Sequence, residues 1–188
     1  MKKLITVCMF VFTVVWLQAQ TLTWDIKFFK VETWETLPIN QIIRMETGEN
    51  FTISITPASD CYAYIFCYDS ERDIAVILNE LLKGGNETYL DRFEVGGAAG
   101  TDTFYVIMSL ARQTRLESLI QTFSSNPSQQ NGNSLYREVV SLQNSSSGLG
   151  EPASTFIASG GTSRGSSVEY ATRFSEKNMY VRAISIRH

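Results

Sequence analysis

Histidine is almost missing from this chain. The only one, His188, is the last of 188 residues. That scarcity excludes zinc sites built on internal histidines, Cys–His dyads and conventional Ser–His–Asp triads. Positive charge is not in excess. Lys and Arg number 16 against 19 Asp and Glu, a formal net charge of -3. No basic footprint of a nucleic-acid binder is present. Cysteine is scarce, with three residues. What is abundant is apolar: 44% hydrophobic against 19% charged residues, the balance of a folded chain rather than a disordered one. The length is one domain's worth and suffices for a core without metal or disulfide staples.

The start of the chain reads as an address. Lys2 and Lys3 precede an uncharged apolar run at 4–17, and Leu17-Gln18-Ala19 resembles a small-residue cleavage site. The run falls short of the roughly 20 residues that span a bilayer. The expectation is a signal peptide over 1–19, cut between Ala19 and Gln20. A single domain over 20–188 would follow, with no membrane span after cleavage. An uncleaved anchor is the alternative. Cys8 lies mid-run, where it is not placed for lipidation. The mature chain would carry a net charge of -5 and be periplasmic or secreted.

Cys61 and Cys67 remain. The segment between them reads as one strand, and six residues at about 3.3 Å each separate the two Cα atoms by roughly 20 Å. A disulfide needs about 4.4–6.8 Å. Both thiols are therefore expected as small buried hydrophobes sharing a face with Ala63 and Ile65, with a break in the strand or an intermolecular bond as the alternatives.

Period-two patterning dominates the mature chain. Strands are expected at 22–33, 41–45, 51–56, 61–68, 74–78, 88–93 and 103–110. The stretch 61–68 is apolar or aromatic on both faces, which marks a strand covered on both sides. The period then changes. Leu116, Leu119, Ile120 and Phe123 share one helical face, and Thr114 with Glu117 fits a capping box. Residues 124–134 read as an exposed loop, 135–142 as a second short helix and 144–150 as a Ser/Gly link. Strands at 153–159, 167–174 and 179–187 complete the chain, the last with Tyr180, Ile184 and Ile186 on one face. This pattern predicts a mainly β fold, an antiparallel β-sandwich-like domain with one or two short helices. A doubly wound α/β fold would need a helix after nearly every strand.

Several motifs invite a chemical reading. Gly161-Thr162-Ser163-Arg164-Gly165 matches a nucleophile elbow, but strand rather than helix follows it. Its only base would be His188, expected at a mobile chain end. A Gly/Ser turn explains the motif as well. Gly96-Gly97-Ala98-Ala99-Gly100 matches neither dinucleotide nor P-loop spacing and reads as a loop. Asp69, Glu71 and Asp73 alternate as weak calcium ligands would, yet lack the glycine and distal Glu of an EF-hand. They read as solvated turn charges. Asn50, Asn86 and Asn144 begin glycosylation triplets, relevant only in a eukaryotic secretory pathway. Trp24, Trp34, Tyr62, Tyr64, Tyr68 and Tyr89 could form a row that stacks on sugars, or pack a core. No catalytic, metal-binding or cofactor-binding residue emerges.

Four stretches carry a family resemblance. They are Gly48-Glu49-Asn50-Phe51 leading into Tyr62-Ala63-Tyr64-Ile65-Phe66; Ile77-Leu78-Asn79 followed by Gly85-Asn86-Glu87-Thr88-Tyr89-Leu90; Gly100-Thr101-Asp102-Thr103-Phe104-Tyr105-Val106-Ile107-Met108-Ser109; and the ending from Tyr180 to His188. The chain thereby resembles the bacterial domain of unknown function 4384, over about 48–123 and less closely over the C-terminal strands, 153–187. It departs from the family at Leu78, where a proline usually precedes the asparagine. The resemblance implies an exported or envelope-associated module with an accessory or interaction role. It implies no catalytic residues.

The expected function is a non-enzymatic module of the bacterial envelope that binds a protein partner and needs no cofactor. A glycan-binding module using exposed Trp24 and Trp34 is the alternative, and a serine hydrolase using Ser163 the third reading.

Overall fold

A computed structural model describes residues 21–97, 99–146, 154–158, 169–176 and 178–188. The elements in chain order are β1 (Leu22–Lys30), β2 (Thr36–Leu37), β3 (Ile43–Arg44), β4 (Asn50–Pro57), β5 (Cys61–Tyr68), β6 (Ile74–Leu82), β7 (Thr88–Tyr89), β8 (Phe93–Glu94), β9 (Thr101–Ser109), α1 (Thr114–Ser125), α2 (Gln129–Ser145), β10 (Ser154–Ala158), β11 (Glu169–Glu176) and β12 (Met179–Arg187). The strands form two sheets. One runs β10-β11-β1-β4-β7, with β2 paired to β1 and β8 to β4; the other runs β3-β12-β9-β5-β6. Every pairing is antiparallel except β3 with β12. The chain is the expected mainly β, sandwich-like fold with two short helices.

Alternation explains the layers. In β1, Leu22, Trp24, Ile26 and Phe28 point inward, and Ile53, Ile55, Ala63, Ile65, Phe104 and Val106 meet them between the sheets. The opposite faces of β5 and β9 carry Tyr64, Phe66, Tyr105 and Ile107, which pack under Leu116 and Ile120 of α1 and Leu135 and Val139 of α2. The helices thus cover the outer face of the second sheet. The two-sided apolar character of β5 follows from this: one face builds each core.

Four local expectations need correction. Thr114 is the first helical residue, not the cap; Gln113 is the N-cap and makes no side-chain cap hydrogen bond. Glu117 is drawn away from the helix end by Tyr64 and Arg112 instead. Residues 124–134 are not a loop. Pro127 stops α1, and Ser128 caps a second helix of 17 residues, its Oγ accepting the Asn131 N–H at 3.3 Å. The helix also covers Asn144 and Ser145 of the expected link. The strand at 88–93 is two short ones, β7 and β8, because their registers on β4 differ by one residue. Leu78 and Asn79 lie within β6.

Cys61 and Cys67 are free. Burial pushes the Cys61 thiol up to about 11 and the Cys67 thiol up to about 12. Among the described residues no helix is long and apolar enough to cross a membrane.

Candidate functional site

The open end of the sandwich is shaped by the chain leaving β1. Lys30 N–H donates to Glu35 O and Trp34 N–H to Lys30 O, both at 2.9 Å, so the chain doubles back into β2. The fold places Trp34 at φ 56°, a left-handed conformation that costs a bulky residue free energy. Its ring stacks on Phe29 at 5.1 Å, and Tyr89 meets Phe29 edge-on at 6.1 Å. Phe29 is buried beneath, whereas Trp34 is 64% and Tyr89 55% exposed. The turn is tied from behind. Glu32 accepts from Asn50 Nδ2 and from Arg92, each at 3.2 Å.

Charged groups flank this aromatic platform. Lys27 pairs with Glu87 at 3.4 Å. Burial pushes the Glu87 carboxyl up, but hydrogen bonds from Tyr89, Ser54 and Lys27 outweigh it and leave the group below its usual range. Lys30 pairs with Glu49; that hydrogen bond lifts the lysine pKa and lowers the carboxyl's.

Beside the platform is a cleft of about 580 Å³. Lys30 and Glu35, then Leu37, Pro38 and Ile42 of the crossover between the sheets, and Arg44 and Arg187 line it. Ile43 is buried and plugs the inter-sheet core, while Ile42 is 47% exposed. The parallel pairing of β3 with β12 sets Arg187 directly opposite Arg44.

Trp24 and Trp34 do not share a face. Trp24 is 1% exposed and stacks on Phe174 at 4.7 Å inside the sandwich. Tyr64 is buried as well. The expected row of exposed aromatics thus reduces to Trp34 and Tyr89, with Phe29 as their support. Asn50 is buried and hydrogen-bonded, which closes that glycosylation triplet to modification.

His188 is tied into the sheet end. Its backbone exchanges two hydrogen bonds with Gly100, at 2.9 and 3.1 Å, and its imidazole is fully enclosed, with Nε2 3.4 Å from Asp102 Oδ1. Asp102 Oδ1 accepts the Ser70 N–H at 2.9 Å. Ser163, with the rest of its motif, lies outside the described residues, as do Ala19 and Gln20. Asp69 Oδ1 accepts the N–H groups of Glu71 and Asp73 at 3.0 and 2.8 Å, so this acidic trio closes a turn. Among the described residues no group of three or more His, Cys, Asp or Glu is arranged to hold a metal.

Ile42, Arg44 and Arg187 escaped the reading of the sequence. A tryptophan in the polar stretch Glu32-Thr33-Trp34-Glu35 was a usable signal for the platform. The arginine pair had none, because strand pairing alone unites residues from the two ends of the chain. No family model matches the chain, and neither the curated proteins nor the solved structures contain a match.

Proposed function

We propose that this chain is an exported, non-enzymatic module of the bacterial envelope that binds a protein partner at the Trp34 platform and the adjoining cleft. The carrying observation is Trp34: a large aromatic, mostly exposed, held in a left-handed backbone on a doubly hydrogen-bonded turn. Backbone strain kept around an exposed tryptophan is a mark of use rather than of packing. Tryptophan and arginine are the side chains that most often anchor protein interfaces. The sparse histidine and the enclosed His188 imidazole support a binding role over serine hydrolysis. Export rests on the N-terminal pattern, and envelope membership on the resemblance to the domain of unknown function 4384.

The test places a photoreactive amino acid at position 34 of the exported protein and irradiates intact cells. A discrete crosslinked species is expected, absent when the probe replaces Thr122 on the outer side of α1. No crosslink from folded, exported protein would defeat the reading. N-terminal sequencing of the same material checks the cut, expected to leave Gln20 first.

Glycan binding is a second reading, favoured by one feature. Trp34 and Tyr89 flank Phe29 beside Lys27 and Glu87, an aromatic surface with hydrogen-bonding groups at its margin. Tryptophan fluorescence titrated with envelope oligosaccharides tests it, since Trp24 is buried and Trp34 is the accessible reporter.

A further inference from the structure

We propose that the cleft beside Trp34 holds an extended segment of the partner protein and that Arg44 and Arg187 clamp a carboxylate on that segment. The inference rests on the protein-binding reading above and names the chemistry of the partner.

The arginine pair violates a local rule. Parallel pairing sets Arg187 opposite Arg44 on strands about 4.8 Å apart, and like charges in that relation repel. Three other cations are neutralised, Lys27 by Glu87, Lys30 by Glu49 and Arg92 by Glu32, while Arg182 is turned to the Ile39 carbonyl at 3.3 Å. Among the described residues neither Arg44 nor Arg187 has a carboxylate within ion-pair distance. Both arginines line the cleft. Two arginines in register on neighbouring strands suit a carboxylate, which can accept paired hydrogen bonds from a guanidinium fork.

The rest of the cleft selects the form of the ligand. Leu37, Pro38 and exposed Ile42 offer aliphatic contact next to the arginines. β3 pairs only with β12, so the flank of β3 away from that strand has no strand partner among the described residues and can receive an extended backbone. Glu35 is the carboxylate that lines the cleft, and Lys30 is paired with Glu49. Arg44 and Arg187 then exceed Glu35 by one positive charge. A membrane or a polyanion calls for many positive charges over a broad face, whereas an excess of one is balanced by one carboxylate. The fitting ligand is an aspartate or glutamate beside an aliphatic residue in an extended chain.

The test pans a displayed library of random octapeptides against the mature protein and against its R44Q/R187Q variant, both checked for folding by circular dichroism. Wild type is expected to enrich an acidic residue next to an aliphatic one, and the best such peptide to lose at least tenfold in affinity when that residue becomes its amide. The double variant is expected to show neither effect. Absence of acidic enrichment, or the same enrichment on both proteins, overturns the clamp. So does binding of phosphatidylglycerol vesicles that R44Q/R187Q abolishes without any peptide preference. The crosslink from position 34 separates the two layers. If it persists unchanged in R44Q/R187Q, the clamp fails and the protein-binding reading stands. If it never forms, the reading beneath the clamp fails.

Discussion

The Tyr64 hydroxyl donates to Glu117 Oε1 at 2.9 Å and accepts the Gln113 N–H at 3.0 Å, joining an interior strand to the first turn of α1. Arg112 completes the group by pairing with Glu117 at 3.0 Å. The tyrosine thus serves the helix start in place of the missing capping side chain. Tyr64→Phe keeps the packing and removes both bonds. It leaves a backbone N–H and a partly buried carboxylate short of a partner, a loss of about 1–3 kcal/mol. Urea unfolding should show a lower midpoint with an unchanged slope. A variant as stable as wild type would mean that water replaces the hydroxyl.

The fold was legible where one principle acts alone. Uninterrupted alternation marks β4, and two-sided apolarity marks β5, at 61–68 in both sequence and structure. Cross-talk between elements hid the rest. Nothing local says that Glu117 prefers Tyr64 to its own helix end. The polar run 129–134 looks like a loop because its helical turns are mostly exposed; Gly132, facing Phe123 and Ile74, is its one buried residue. The candidate site was the least legible part. Arg44 and Arg187 meet only through the single parallel pairing, between a two-residue strand and the last one.

The two tryptophans should separate cleanly on substitution. Trp24 fills the space between the sheets, so Trp24→Ala leaves a cavity and should cost about 3–5 kcal/mol. Trp34→Ala loses only its stack on Phe29 and should cost less than about 1 kcal/mol. Denaturant curves measure both. A strongly destabilised Trp34→Ala would make the platform a structural strut and remove the reason to call it a binding surface.

Two glycines make opposite predictions. A Cβ on Gly84 would lie 2.6 Å from Ser59 Cα, backbone against backbone, where the turn after β6 crosses the one before β5. Gly84 N–H also donates to Asp60 Oδ1 at 2.9 Å, and Gly85 N–H to Pro57 O at 2.7 Å. Gly84→Ala must push these turns apart and should cost on the order of 1–3 kcal/mol. In α2 a Cβ on Gly132 would sit 3.4 Å from side-chain atoms of Ile74 and Phe123, close to ordinary contact. Alanine's helical advantage of about 1 kcal/mol then makes Gly132→Ala neutral or stabilising. Thermal melts should therefore move down for Gly84→Ala, and stay level or move up for Gly132→Ala.

Alkaline pH should unfold this protein through groups that burial keeps protonated. Burial pushes Cys61 up to about 11 and Cys67 and Tyr64 up to about 12, and raises Tyr105 and Tyr180 as well. In the unfolded chain a thiol titrates near 8.5 and a phenol near 10. Between the two sets of values the unfolded state has released protons that the folded state retains. The unfolded state then binds fewer protons, so stability falls as pH rises. The contribution is whole below the unfolded values and is lost progressively through the folded ones. The thiols act first, from about pH 8.5, each by at most about 1.4 kcal/mol per pH unit. The Cys61→Ala/Cys67→Ala variant should start less stable, because it loses buried sulfur, yet show a flatter decline between about pH 8.5 and 10. Urea unfolding at stepped pH measures the two slopes, and equal slopes would show that these thiols are ionised as easily in the folded protein as in the unfolded chain.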